Sequence, residues 1–491
     1  MSATIKHAAS AARESGAGYR TLWRWHFYAG LFVMPFLVVL AITGTLYCFQ
    51  PQIEPLLYPH RLVVRSEARP RLAEDTLLAR AATAMPAGAV PSSVKVPDGP
   101  NRSAEFVFRL PQGGSESVYV NPYSGDVLGT LSVENRFMQV TRMIHRKLLI
   151  GKFGELLMEL VACWTLVMVG TGIALWWPQG TARVRDALVP KLSLQGRPFW
   201  KSLHAAMGIW LAVGAVAFVL TGLPWTGSWG QYFKSLATSV KLGSPPGSWG
   251  GLPLRSNVPG GAMPDTAQPA HAAAHHMEDM AGMPGMKMDD MPLSNVPWAV
   301  GAVRVPQSPE AATGTQAGTR LPVGTVIGTL RREGIDGGYE IALPASADGV
   351  YTVTYFPADP KAERTIYIDQ YSGAVLKDIR YEDYGAVSKA VSYGTALHMG
   401  RYFGLANQIV CAFISLGLAA MAVTGFVMWW KRRPSGSVGA PGRERAAPPM
   451  RGWKAGMVII GMVFPLMGMT LIAVWLADRV IFGPSARRMA A

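Results

Sequence analysis

Charge is scarce in this sequence. Asp, Glu, Lys and Arg make up 16% of its 491 residues, where a soluble globular chain carries about a quarter. Hydrophobic residues make up 49%, so a freely soluble protein gives way to a membrane protein as the starting expectation. Cysteine is nearly absent. Cys48, Cys163 and Cys411 are the only three, and none has a C-x-x-C partner, so neither a disulfide framework nor a thiolate metal site is indicated and they are expected to be packing residues. No C-x-x-C-H occurs, so covalent c-type haem is excluded. No G-x-G-x-x-G follows a strand to bind a dinucleotide, no nucleophile constellation points to hydrolysis, and no nucleic-acid partner is expected.

What the chain does have is long apolar runs. Phe27–Phe49, Leu160–Trp177, Ala205–Phe233, Tyr402–Trp430 and Ala455–Ala477 hold no charged residue. About 20 such residues cross a bilayer, which predicts five spans, at 25–49, 141–177, 202–233, 391–430 and 455–477. The second and fourth carry outer extensions. The first is too long for a signal peptide and lacks a cleavage site. Lys and Arg collect in the tail 1–24 and the loops 178–201 and 431–454, which the positive-inside rule assigns to the cytoplasm. The tail 478–491 conflicts with this, since five spans place the arginines of "SARRMAA" outside.

The outer stretches read as two small α+β domains, at 50–140 and 316–390. In the first, "RLAEDTLLARAATAM" is an amphipathic helix, followed by strands "SAEFVFRL" and "ESVYV" and a turn "NPYSGDVLG". In the second, "GTVIGTLRREG" is the helix, with strands "YEIALP", "VYTVTYF" and "TIYIDQ" and a turn "YSGAVLKD". Between the third span and the second domain, residues 234–315 read as a flexible Gly- and Pro-rich insert.

The two turns belong to a longer repeat. His26, Gly30 and Thr43-Gly44 recur at the same spacing as His204, Gly208 and Thr221-Gly222. His145, Gly151, Thr171-Gly172 and Trp176-Trp177 recur as His398, Gly404, Thr424-Gly425 and Trp429-Trp430. The fold class is therefore an α-helical integral membrane protein: a four-helix bundle from two repeated units, plus a fifth span, with two α+β extracytoplasmic domains. Equivalent helices of a duplicated bundle meet, which pairs His26 with His204 near the cytoplasm and His145 with His398 near the outer side. Ionisable groups near or in a bilayer are functional candidates, and two opposed imidazoles in an apolar bundle suit a b-type haem. Two bis-His haems b are expected. Zinc suits these sites less well, because two ligands fall short of its usual four. Arg24, Lys201, Arg142, Arg146, Lys147 and Arg401 lie beside the histidines and could pair with haem propionates.

One further stretch, 271–291, is dense in His271, His275, His276, Met277, Met280, Met283, Met286, Met288 and Met291. Imidazole with thioether suits copper, especially the reduced ion. A Met-rich low-complexity linker is the alternative.

The segments "WRWHFYAGLFVMPFLVVLAITG", "IHRKLLIGKFGELL", "LHAAMGIWLAVGAVAFVLTG" and "LHMGRYFGLANQIV", with the two "YSGxVL" turns, resemble the PepSY-associated transmembrane proteins of bacteria over about residues 19–435. That family includes iron-regulated inner-membrane proteins and haem-containing ferric-siderophore reductases. The resemblance implies PepSY-like outer domains, an inner-membrane location with a cytoplasmic N-terminus, and haem ligation by His26, His145, His204 and His398. It also implies electron transfer to a ferric chelate or copper ion outside. No fused reductase domain fits in this chain, so the donor is expected to be a separate cytoplasmic reductase or a membrane quinol. The competing expectation is a PepSY membrane protein without redox chemistry, binding copper or regulating a peptidase or metal response.

Overall fold

A computed structural model describes residues 18–177, 183–245, 293–306, 320–346, 349–436, 439–441 and 450–482. The Met/His-rich run lies outside these residues. The helices of nine residues or more are, in chain order, α1 Tyr19–Cys48, α2 Glu74–Ala82, α3 Phe137–Lys147, α4 Gly151–Trp176, α5 Gly196–Gly222, α6 Trp229–Ser239, α7 Val323–Arg332, α8 Ala386–His398, α9 Leu405–Trp430, α10 Arg451–Val463 and α11 Pro465–Phe482. The chain divides into a helical unit (1–49, 141–233, 398–491) and a sheet unit (50–140, 234–397).

In the sheet unit, β1 Val90–Val96, β2 Ala104–Arg109, β3 Ser115–Val120, β4 Val127–Ser132, β5 Tyr339–Ala342, β6 Val350–Tyr355, β7 Arg364–Asp369 and β8 Val375–Arg380 form one sheet. Their order is β4-β3-β2-β1-β5-β6-β7-β8. The two α+β regions thus share a single antiparallel sheet, joined where Ser93–Val96 pairs with Tyr339–Ala342. Joining removes one exposed edge from each half, edges that would otherwise invite aggregation. The seam strand β1, "VPSSVKV", carries no alternation of large apolar residues, and its Pro91 sits beside a register shift, where a missing N–H is tolerated. Side chains alternate as the pleat requires. Phe106, Phe108, Val118, Ile341, Val353 and Ile366 face Leu77 and Ala81 of α2 and Val326, Ile327 and Leu330 of α7. Residues 293–306, expected as flexible insert, instead supply Ala299, Val300 and Val303 to a second core with Val350, Tyr367, Ile379 and Tyr384.

In the helical unit, α1, α4, α5 and α9 are the helices long and apolar enough to cross a membrane among the described residues. Each packs against two neighbours: α1 on α4 and α9, and α5 on α4 and α9. Their outward faces are apolar, with Val213 79% and Phe413 72% exposed, which suits lipid and would be a liability in water. The expected third span is shorter than drawn. α5 ends at Gly222 and a turn through Pro224 separates it from α6. In the second and fourth, Leu148, Leu149 and Gly151 adopt positive φ between α3 and α4, as Gly400 and Gly404 do between α8 and α9. A short helix carrying the histidine therefore precedes each long one.

The expected fifth span is not one continuous helix. Its sequence breaks at Phe464-Pro465 into α10 and α11, where Pro465 offers no N–H to the helix ladder and Phe464 before it leaves the helical conformation. A Cβ placed on Gly468 would fall 2.5 Å from the Gly461 carbonyl oxygen, so only glycines let the two arms meet this closely. Both arms return to the same end of the bundle. Met450, just before α10, lies against Gly18, while Asp478 near the end of α11 pairs with Arg24. At the turn, the Trp229 indole N–H donates to the Val463 carbonyl at 2.8 Å. Glu159, buried in α4, accepts the Ser228 and Trp229 backbone N–H groups at 3.0 Å each. The result is a helical hairpin leaning on α1 and α4.

Candidate functional site

Four histidines of the helical unit form two pairs. His26 of α1 and His204 of α5 have ring centroids 6.3 Å apart and planes crossed at 83°. His145 of α3 and His398 of α8 have centroids 6.5 Å apart and planes crossed at 81°. The sequence pairing is therefore the one the bundle builds. His26 and Thr43 lie seventeen positions apart on α1, about 25 Å of helix, and Thr43 bonds to His145. The two pairs thus occupy opposite ends of the bundle.

Each ring is held in the same way. The Nδ1 atoms of His26, His145, His204 and His398 lie 3.0, 2.9, 2.8 and 2.8 Å from the hydroxyls of Thr171, Thr43, Thr424 and Thr221. Those hydroxyls donate their own protons to carbonyls of their own helices, such as Thr43 to Val39 at 2.6 Å and Thr171 to Val167 at 2.7 Å. The hydroxyl oxygen is left to accept, so Nδ1 carries the proton. At His26 the Met168 carbonyl also lies 3.0 Å from Nδ1, and a carbonyl can only accept. With Nδ1 protonated, the lone pair of each neutral ring resides on Nε2, ready to act as a ligand.

The residue after each threonine is a glycine, and the ring lies on it. A Cβ there would come 3.2 Å from His145 at Gly44, 3.2 Å from His26 at Gly172, 3.5 Å from His398 at Gly222 and 3.6 Å from His204 at Gly425. The Thr-Gly pairs, which the sequence shows only as landmarks of the repeat, are the seats of the histidines. Gly30 and Gly208 do not play this part: nothing comes within 4 Å of a Cβ at Gly30, and one at Gly208 would meet Met421.

The neighbouring cations are partly committed elsewhere. Arg24 is buried, donating to Asp478 and to the Pro441 carbonyl, and to the Tyr28 hydroxyl at 2.6 Å. It serves the hairpin rather than a propionate. Lys147 faces Glu155 at 3.8 Å and Arg146 reaches the Trp225 carbonyl at 3.3 Å. Arg142 and Arg401 sit half-buried close in sequence to the far pair.

The donor set limits what could bind. Among the described residues no three His, Cys, Asp or Glu side chains gather as a metal cluster, so a bare ion lacks ligands. An imidazole ring has a radius of roughly 1.1 Å, so two rings bonded to one metal at about 2.0–2.1 Å have centroids about 6.3 Å apart. Both pairs have this spacing. They fit a metal that brings its remaining ligands with it in a macrocycle, with His26 and His204 at one end of the bundle and His145 and His398 at the other.

No curated protein matches this chain. The family model described as the PepSY-associated TM region matches residues 23–432, which is most of the chain, and the protein is a multi-pass membrane protein belonging to that family.

Proposed function

We propose that this protein is a diheme reductase of the bacterial inner membrane. Electrons enter at the His26/His204 end from a separate cytoplasmic reductase or a membrane quinol. They leave at the His145/His398 end to a ferric chelate or a cupric ion. The observation that carries the reading is the pair of imidazole pairs, each at bis-ligand spacing with Nε2 freed by a threonine-held Nδ1. Bound haem b supplies one-electron carriers at the two sites. The chain's own residues fix the tautomer, aim each ring and exclude water with an apolar bundle.

Orientation follows from charge. The basic tail and loops set the N-terminal end in the cytoplasm, and the hairpin returns the chain to that same end at Asp478. The run 271–291 then belongs to the periplasmic side, where its histidines and methionines capture copper as it is reduced.

An absorption spectrum of the purified protein before and after dithionite tests the reading. A reducible b-type spectrum with two haems per chain is expected. Absence of haem, with copper binding that disappears on deleting 271–291, would replace it with a metal-binding protein without redox chemistry.

A further inference from the structure

Two of the three cysteines meet. Cys48 ends α1 and Cys411 lies in the second turn of α9, far apart in sequence but neighbours in space. Both also point at one acceptor. The Cys48 Sγ is 3.7 Å and the Cys411 Sγ 3.8 Å from the backbone carbonyl of His398. The surroundings hold them there. Asn407 Nδ2 donates to the Cys411 Sγ at 3.3 Å, and Gln408 Nε2 donates to the Cys48 carbonyl at 2.9 Å. Gly400 gives room, since a Cβ on it would come 3.5 Å from the Cys48 Cβ. The thiols are 6% and 3% exposed by residue, shielded from bulk reagents but not from each other. Cys163, buried in α4, takes no part in the pair.

We infer that Cys48 and Cys411 are a redox-active dithiol that closes to an intramolecular disulfide beside His398. Two thiols gathered on one carbonyl oxygen need side-chain rotation to reach the S–S bond length of about 2.05 Å. The far end of the bundle faces the compartment where disulfides persist. Each thiol releases a proton, and the pair gives up two electrons, one to each of two cupric ions, which leave as cuprous ions. The S–S bond joins the end of α1 to α9. It also withdraws both S–H donors from the carbonyl of His398, so the oxidation state of the pair is felt at a proposed ligand.

Counting thiols tests this on the full-length protein. The purified chain is treated with cupric chloride, stripped with a chelator, denatured in SDS and alkylated with a polyethylene-glycol maleimide. Reduced protein takes three labels. Oxidised protein is expected to take one, on Cys163, with no dimer on a non-reducing gel. Cys411→Ser takes two labels before and after oxidation, and Cys163→Ser falls from two to none. Three labels on oxidised wild type, or label loss that comes with a crosslinked dimer, overturns the assignment. Alkylation counts thiols whether or not haem is bound, so failure of the haem reading leaves this outcome unaffected.

Discussion

The two copies of the repeat agree in the membrane and part company in the sheet. In the bundle, every histidine of one copy has a counterpart with the same threonine seat, the same glycine and nearly the same partner distance. In the sheet, Tyr119 and Tyr367 occupy matching places before the two "YSGxVL" turns, yet their surroundings differ. Tyr119 meets the Arg136 guanidinium within a part-buried network of Lys95, Glu105 and Ser117. Tyr367 lies among Ala299, Val300, Val303 and Ile379. Holding an imidazole for ligation admits few solutions, whereas filling a sheet face admits many. Divergence is therefore free in one place and costly in the other.

The largest expected effect breaks the symmetry of the bundle. His204→Ala and His398→Ala each remove one ligand from one pair only. Each purified variant should lose one haem and keep the other, read as haem per chain by pyridine haemochrome. The double variant should hold none. Loss of both haems from either single change would mean that the pairs are not independent sites, and full retention in both would sink the ligand assignment.

Next comes the ionic network beside Tyr119. Lys95 and Arg136 bond to Glu105 at 3.0 and 2.7 Å. Burial alone would push the Glu105 carboxyl up, but Lys95, Arg136 and Ser117 outweigh it and hold it down at about 2. Glu105→Ala strands two buried cations and should cost about 3–5 kcal/mol, seen as faster hydrogen exchange in β2 and β3. A carboxyl lowered in the folded state stabilises fully above its ordinary value of 4.5 and loses that stability as pH falls toward 2. The depression is equivalent to about 3 kcal/mol. Wild type should therefore lose stability between pH 4.5 and 2 more steeply than Glu105→Gln, and parallel curves would remove Glu105 from the account.

Much of this was legible in the sequence because repetition is legible. The four histidines and their pairing followed from matched spacing, and the strands at 103–110, 116–120 and 350–356 from alternation. Other features left weaker traces. β1 is polar and contains Pro91, so nothing local marks it as the strand that joins two halves. The role of Thr43, Thr171, Thr221 and Thr424 lies in hydrogen bonds to a ring on another helix, which spacing cannot show. Cys48 and Cys411 read as isolated because their partnership is tertiary. The run 455–477 satisfies hydropathy for a span, and only Pro465 with Gly461 and Gly468 signals that the chain turns back.

A smaller effect sharpens the likeness of the two ends. Thr424→Val and Thr43→Val keep volume but remove the oxygen that holds Nδ1 of His204 and His145. Loss of such a supporting hydrogen bond weakens metal retention by about 10–100-fold. The rate at which haem passes to an excess of a scavenging protein measures it. Equal acceleration in the two variants supports equivalent seats. No change at Thr43→Val would show that the far ring is oriented without its threonine.

The smallest effect returns to the paired tyrosines and separates the halves of the sheet most cleanly. Tyr119→Phe removes a hydroxyl bonded to Arg136, leaving a buried guanidinium with one acceptor fewer, and should cost about 1 kcal/mol or slightly more. Tyr367→Phe removes a buried hydroxyl that has no hydrogen-bond partner among the described residues. Removing an unsatisfied polar atom from an apolar cluster relieves a desolvation cost, so this variant should match wild type or exceed it. Thermal midpoints of the two variants, measured side by side in the same detergent, decide the matter. If Tyr367→Phe is the more damaging change, the second half of the sheet must spend that hydroxyl on a bond, and the contrast between the surroundings of the two tyrosines fails.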